Sequence, residues 1–289
     1  MTGSSANWSA ADGELREKEP MDALGNAIDE AMFVPDGDGF VVATLLTQGP
    51  WDPNGQYGGC PAALLTWAAE RVPTLVPMRI ARITVDLHRR VPLGRLAIGA
   101  EVIREGKRLQ LVLATIHDPA GVEVARATVL RMRLGSAPDA ANDPRHPAIV
   151  TPPHGSVRPP RERPSGLNGF IDAAEVRESE HPDSTMNWFR AARPVMAGEE
   201  ASPTVRLAWA ADFTANGGNY LDLSQWSAIN SDLTITLGRV PVGEWTGIAT
   251  RAWYADDGIG HARAELFDIE GFVGTCIASL LVDQTAAPY

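Results

Sequence analysis

The same short stretch of sequence occurs twice in this chain. Arg90-Val91-Pro92-Leu93-Gly94 returns 149 residues later as Arg239-Val240-Pro241-Val242-Gly243. Asp118-Pro119-Ala120-Gly121 returns 150 residues later as Asp268-Ile269-Glu270-Gly271, and an apolar run closes each copy. A repeat of this length is a whole subdomain rather than a solenoid unit, so we expect two similar halves packed as a pseudo-dimer. An active site at their junction need be built only once.

Composition and charge narrow the class of protein. The chain has 289 residues, 44% of them hydrophobic, which suffices for one large core or two ordinary ones. Its net charge of −11 argues against nucleic acid or an anionic membrane as partner, because both require clustered Lys and Arg. Without a basic, apolar leader or a long apolar run, we expect a cytoplasmic protein with no membrane partner. Cys60 and Cys276 leave little room for a disulfide framework.

Proline marks the boundary between the two copies. Eight prolines lie between Gly135 and Pro164, a density that excludes helix and central strand. We therefore divide the chain into a disordered or irregular N-terminal arm (1–36), an N-terminal unit (37–134), a Pro-rich linker (135–185) and a C-terminal unit (186–285).

Each unit shows one apolar helical segment followed by alternating, strand-like runs. Gly58-Gly59-Cys60-Pro61 opens the first helix, predicted over 58–72, since proline is favoured in a first helical turn. The strands of the first unit are predicted at 80–89, 96–104, 109–117 and 122–134. A weaker helix at 205–213 precedes strands at 232–237, 244–252, 260–267 and 272–282. One helix against a long antiparallel sheet, twice, predicts an α+β double hotdog fold.

The order of several motifs resembles a known family. Gly49-Pro50-Trp51-Asp52-Pro53, then Gly58-Gly59 with Pro61-Ala62-Ala63-Leu64-Leu65, are followed by Ile229-Asn230-Ser231-Asp232-Leu233-Thr234 and the second Arg-Val-Pro stretch. Over roughly residues 40 to 285 the chain resembles thioesterase-like proteins of actinobacteria, related to type II acyl-CoA thioesterases. The resemblance implies two tandem hotdog units and a thioester substrate carried by coenzyme A or a carrier protein.

The resemblance also implies a catalytic set. In type II thioesterases an Asp, a Thr and a Gln position the attacking water, and backbone amides at a helix start receive the carbonyl oxygen. The Asp corresponds to Asp232, and the oxyanion hole to Gly58, Gly59 and Cys60. The Thr position falls within 251–254, where no threonine stands, and the Gln position falls at Ala278. Ser279 or Thr275 would replace the amide only if the register slipped.

Several of these residues have more than one interpretation, structural or catalytic. Asp232 could cap a strand, although Ile83 stands at the same position of the first copy. The glycines could serve close packing, Cys60 could be a nucleophile at a helix start, and His261 could pair with Asp232 as an acid and base. The pocket is predicted to hold a larger set: Tyr57, Trp253, Tyr254, His261, Ala278 and Ser279.

Two functions follow from this pattern. The first is a thioesterase-like enzyme that acts on a hydrophobic acyl or polyketide-type thioester, of acyl-CoA or acyl-carrier protein, in fatty acid or polyketide metabolism, with Asp232 as general base. The alternative is a protein that binds a hydrophobic or aromatic small molecule without hydrolysis, or a repurposed cyclase or isomerase. The sequence lacks metal-ligand spacing and nucleotide-binding loops, so we expect no metal and no cofactor. A homodimer is left open.

Overall fold

The computed structural model describes residues 30–136, 169–181, 184–222 and 224–284. Four α-helices lie in these ranges: α1 (Gly59–Glu70), α2 (Gly169–Asp172), α3 (Pro203–Ala211) and α4 (Thr214–Gly217). The strands are β1 (Phe33–Pro35), β2 (Phe40–Ala43), β3 (Met78–Leu87), β4 (Gly94–Arg104), β5 (Leu109–His117), β6 (Glu123–Arg133), β7 (Ala174–His181), β8 (Ser184–Ala191), β9 (Trp226–Asn230), β10 (Asp232–Leu237), β11 (Trp245–Tyr254), β12 (Ile259–Asp268) and β13 (Gly271–Gln284).

The strands form one continuous antiparallel sheet whose two halves have the same strand arrangement, counted outward from the centre. Its order is β1-β2-β4-β5-β6-β3-β10-β13-β12-β11-β8-β7, with β9 beside β13. The halves join where β3 of the first unit pairs with β10 of the second. Thr84 lies opposite Thr234 in this pair, and these residues are separated by the repeat spacing of 150. A pseudo-twofold axis therefore passes between them, and the double hotdog fold is confirmed.

The repeated sequence stretches form equivalent turns. Gly94, at the end of the first stretch, has φ of 87°, and Gly243, at the end of the second, has φ of 79°. Residues with a side chain rarely adopt such left-handed backbone, which explains why glycine stands at the end of both copies. The repeat is thus a duplication of structure as well as of sequence.

Two central helices fill the space enclosed by the sheet. Nearly every residue of α1 is buried, so this helix is apolar all round rather than amphipathic. It packs against α3 in the opposite direction: the start of α1 at Gly59 meets Trp209 near the end of α3, while Glu70 at the end of α1 meets Ser202 before α3. Each helix start therefore lies beside the end of the other helix.

The predicted domain boundaries differ from the structure at two places. β1 lies within the predicted arm and pairs with β2, and the side chains of Met32 and Phe33 are fully buried in the hydrophobic core. α2 and β7 lie within the predicted linker, and β7 pairs with β8 along its whole length. The sheet pairing stabilises these segments, whose sequences show little apolar alternation. The Pro-rich part of the linker, 137–168, lies outside the described residues.

Across the described parts of the chain, the structure contains no helix with the length and apolar character needed to cross a membrane.

Candidate active site

A buried carboxylate lies at the centre of the junction between the two helices. Asp212 follows α3 directly as its C-cap and is only 2% exposed. Its carboxylate faces the start of α1: a Cβ atom built on Gly58 would lie 2.8 Å from Asp212 Oδ1. A helix start presents unpaired N–H groups and partial positive charge, so a carboxylate is favoured there.

The pKa of Asp212 is set by the burial of its carboxyl group and by the polar groups beside it. Burial raises its pKa from the ordinary value of 3.8 to about 6, because the charged form loses water. The side chain of Asn230, the backbone N–H of Gly59 and the hydroxyl of Tyr57 oppose this rise. Asn230 Nδ2 donates to Asp212 Oδ1 over 2.8 Å. The group is therefore mostly ionised at pH 7 yet readily protonated, as a general base requires.

Tyr57 places a second polar group beside this carboxylate. The ring is 4% exposed and stacks on Phe170 with centroids 3.8 Å apart. The hydroxyl oxygens of Tyr57 and Thr214 are both buried, and neither has a partner at ordinary hydrogen-bond geometry among the described residues. Buried polar atoms without partners indicate a place for a water molecule or for a polar group of a ligand.

The two glycines at the start of α1 have separate reasons to be glycine. A side chain at Gly59 would overlap the carbonyl oxygen of Trp209, so this residue permits the close approach of α1 and α3. A side chain at Gly58 would instead displace the carboxylate of Asp212. Gly59 thus serves the packing of the two helices, whereas Gly58 leaves room for the carboxylate of Asp212.

The structure argues against both roles predicted for Cys60, as an oxyanion donor and as a nucleophile. Its backbone N–H donates to the Tyr57 carbonyl oxygen over 2.9 Å, so this amide is already engaged. The Gly59 N–H is also engaged, because it interacts with the carboxylate of Asp212 and lowers its pKa. The helix start therefore offers the amide of Gly58 as an oxyanion donor, not those of Gly59 and Cys60. Burial, followed by the charge of Asp212, raises the pKa of the Cys60 thiol well above its ordinary value, which disfavours the thiolate that a nucleophile requires.

The opposite junction of the two helices also carries a carboxylate, that of Glu70. Glu70 Oε1 accepts a hydrogen bond from Ser202 Oγ over 2.9 Å, and Ser202 Oγ also accepts from Val205 N as the N-cap of α3. Burial raises the pKa of Glu70, and Arg131 opposes the rise. Arg131 itself donates to the carbonyl oxygen of Val72. This second junction is filled by polar side chains.

Models of known protein families match both halves of this chain. Residues 47–132 match the N-terminal domain of acyl-CoA thioesterases, and residues 137–282 match the C-terminal domain. The chain belongs to the acyl-CoA thioesterase family. It is a thioester hydrolase-like enzyme with two tandem hotdog units. Comparison with curated proteins finds no match.

Solved structures of this fold cover nearly the whole thioesterase. An acyl-CoA thioesterase II from Mycobacterium marinum aligns with a TM-score of 0.62 at 14% identity, over 91% of this chain and 99% of that one. A thioesterase II candidate from Thermobifida fusca gives 0.66 at 19%, over 88% and 98%. A hot dog protein of unknown function from Alicyclobacillus acidocaldarius gives 0.62 at 17%, over 91% and 99%. At these identities the likeness concerns the fold.

Asp232 and three predicted pocket residues lie on the outer face of this thioesterase sheet. Leu233 and Ile235 of β10 are buried toward the helices, so Asp232 projects to the other side. Asp232 Oδ1 accepts from the backbone N–H of Ser279 over 2.7 Å, which joins two strands. The structure therefore does not bring Asp232 together with the start of α1.

The same alternation places the rest of the outer set. His261 lies opposite both Trp253 and Ser279 in the sheet, and its ring stacks on that of Trp253 with centroids 5.8 Å apart. Ser279 and Thr275 both lie on this face, so neither replaces an amide on the inner face. Trp253, 46% exposed, lines no inner pocket.

Two predicted pocket residues do lie on the inner face. Ala278 is 1% exposed and contributes only a methyl group where relatives are expected to hold an amide. Tyr254 donates its hydroxyl hydrogen to Asn219 Oδ1 over 3.0 Å, and burial raises its pKa to about 12. Of the predicted set, Tyr57, Gly58 and Gly59 surround Asp212.

Sequence reasoning missed Asp212. Residues 205–213 were assigned to a helix because of their apolar character, and the acid within that run received no role. A lone carboxylate among buried alanines and aromatics was the available signal, because an unpaired charge in such a run is costly unless it has a function or a partner. Within the described ranges, His, Cys, Asp and Glu form no group of three that could hold a metal ion.

Proposed function

We propose that this enzyme hydrolyses acyl-CoA thioesters with Asp212 as the general base. The observation that supports this assignment is the buried carboxylate of Asp212 against the start of α1, at the junction of the two hotdog units. Hydrolysis of a thioester needs a proton acceptor for water and a site for the developing negative charge, and this junction supplies both within a few ångströms.

Each group at the junction has a role in the proposed reaction. Asp212, with a pKa of about 6, is mostly ionised at neutral pH and accepts a proton from water. The amide of Gly58 and the partial positive charge of α1 stabilise the oxyanion that forms on the thioester carbonyl. Asn230 holds one carboxylate oxygen in place. In this role the Asn-Ser-Asp motif contributes Asn230 rather than Asp232.

The methyl group of Ala278 bears on the expected rate. Orienting water for attack requires a second hydrogen-bonding partner besides the base, and loss of such a group commonly costs about 100-fold in rate. If no other group takes this role, turnover of common straight-chain acyl-CoAs should be slow, below the median enzyme turnover of about 10 per second.

A panel of acyl-CoAs assayed with a thiol reagent tests the assignment. Wild type should release coenzyme A from at least one member, and Asp212→Asn should reduce that rate by about 100-fold or more. Glu70→Gln is the matched control, since it removes the carboxylate at the opposite junction of the two helices and should keep at least half of the rate. Asp232→Asn, parallel to these, tests the sequence-based prediction.

The outcomes separate the alternatives clearly. If Asp212→Asn retains its turnover while Asp232→Asn loses it, Asp232 is the base. If every acyl-CoA raises the melting temperature of wild type but none is cleaved, the protein binds acyl thioesters without hydrolysis.

A further inference from the structure

Water at the junction lacks one partner in the proposed reaction. Asp212 can accept one hydrogen of a water molecule, but a fixed attack direction needs an acceptor for the other. Ala278 cannot serve, and Ser279 and Thr275 lie on the outer face of the sheet. The second partner must therefore come from elsewhere than β13.

Tyr57 satisfies the geometric requirements for that partner. Its hydroxyl oxygen is buried and lies close enough to the carboxylate of Asp212 to lower the pKa of that group, but it makes no hydrogen bond of ordinary geometry to any described residue. Its ring is fixed by the stack on Phe170, which itself lies against Trp209 with centroids 5.4 Å apart. A rigid, buried and unpartnered hydroxyl is suited to hold a water molecule, because little conformational entropy remains to be lost.

We propose that the Tyr57 hydroxyl is the second group that holds the attacking water, accepting one of its hydrogens while Asp212 accepts the other. This inference rests on the proposed function of Asp212. In this proposal the Tyr57 hydroxyl directs its hydrogen toward the carboxylate of Asp212 and a lone pair toward the water. A lone pair of the water oxygen then faces the thioester carbonyl carbon.

The reaction balances with these groups alone. The water oxygen forms a bond to the carbonyl carbon as one water proton passes to Asp212, and the carbonyl oxygen becomes the oxyanion beside Gly58. Collapse of this intermediate breaks the carbon–sulfur bond. The leaving thiolate takes the proton from Asp212, which restores the carboxylate. Tyr57 remains a neutral hydroxyl throughout, because burial and the charge of Asp212 raise its pKa well above its ordinary value.

The test is Tyr57→Phe, which removes the hydroxyl and keeps the ring on Phe170. We expect kcat to fall about 100-fold with KM within about twofold, since the hydroxyl contacts water rather than the acyl chain. The acidic limb of the pH–rate profile should also shift to higher pH, because the Tyr57 hydroxyl lowers the pKa of Asp212. Tyr220→Phe, which changes a tyrosine that is 68% exposed, is the control and should match wild type.

The outcomes distinguish this inference from the assignment of Asp212. Loss of turnover in Asp212→Asn together with full turnover in a folded Tyr57→Phe protein overturns the role of Tyr57 alone. Full turnover in Asp212→Asn overturns the proposed function as well. A folded Tyr57→Phe protein with unchanged kcat but a lower melting temperature assigns Tyr57 a packing role and also contradicts the proposal.

Discussion

The hydroxyl groups of Thr84 and Thr234 meet at 3.4 Å, although the two residues stand 150 positions apart. That separation equals the spacing of the sequence repeat, so the contact joins equivalent residues of the two hotdog units. Ile83 and Ile235 pair on the buried face of the same strands, and Asp86 pairs with Asp232 on the outer face. The strands β3 and β10 thus form the pseudo-twofold interface that an ancestral homodimer would have formed between two chains.

The pH dependence of turnover should follow the ionisation of Asp212. Since burial raises its pKa to about 6, kcat/KM should rise tenfold per pH unit below this value and level off above it. A pH–rate profile of wild type on its best acyl-CoA measures this. A profile already level at pH 5 would contradict Asp212 as the base.

The stability of the fold should depend on pH through the same group. A carboxyl whose pKa is higher in the folded state than its ordinary 3.8 favours folding when protonated, and this contribution is lost as pH rises through about 6. Asp212→Asn should therefore gain melting temperature relative to wild type on going from pH 5 to pH 8. Thermal melts of both proteins at the two values test the sign, and Glu70→Gln provides a comparison.

Substitution of Gly58 should impair turnover more than folding. The backbone of Gly58 has φ of −59°, which any residue adopts, but a methyl group there would press on both oxygens of Asp212. Because a misplacement of about 1 Å can cost about 100-fold, we expect Gly58→Ala to lose 10- to 100-fold in kcat. Gly99→Ala, where the added Cβ atom has ordinary contacts at 3.6 Å, should leave turnover unchanged.

The two arginines of the repeated turns should differ in their contribution to stability. Arg239 donates to both oxygens of Asp268, which is 1% exposed, whereas Arg90 pairs with a partly exposed Asp52. Arg239→Met should cost about 2 kcal/mol of unfolding free energy, because it removes the charged partner of a buried carboxylate and leaves it with backbone N–H donors from Val242 and Glu270. Arg90→Met should cost less than about 1 kcal/mol. Equal losses in urea denaturation would contradict this difference.

Neither cysteine should react in the folded protein. Cys60 and Cys276 are fully buried, and burial raises the pKa of the Cys276 thiol to about 12. A disulfide reagent at pH 8 should therefore label both thiols only in denaturant. Rapid labelling under native conditions would show that the junction opens often, and it would also complicate the thioester assay.

The sequence repeat and the alternating apolar and polar runs predict most of the fold. β10 has the predicted bounds of Asp232 to Leu237, and α1 begins and ends within two residues of its prediction. β7 was missed because its sequence, Ala174 to His181, is largely polar and becomes a strand through pairing with β8. Local pattern cannot reveal stability that comes from a partner strand.

The site was harder to predict than the fold because side chains alternate between faces. Asp232 and Leu233 are neighbours in sequence, yet one lies on the outer face and the other among the buried side chains. The sequence indicates that faces alternate but not which face meets the helices at the catalytic junction. Asp212 was hidden for a different reason: its role depends on the start of α1, about 150 residues earlier in the chain.

Together with the proposed role of Asp212, the opposed directions of α1 and α3 predict one active site per chain. A symmetric dimer with this packing would hold two equal sites, one at each meeting of a helix start with a helix end. In this chain the carboxylate of Asp212 lies beside Gly58 at one of these junctions. At the other junction, the hydroxyl of Ser202 donates a hydrogen bond to the carboxylate of Glu70. Each chain should therefore bind a single thioester, and its saturation curve should be hyperbolic, without cooperativity between halves.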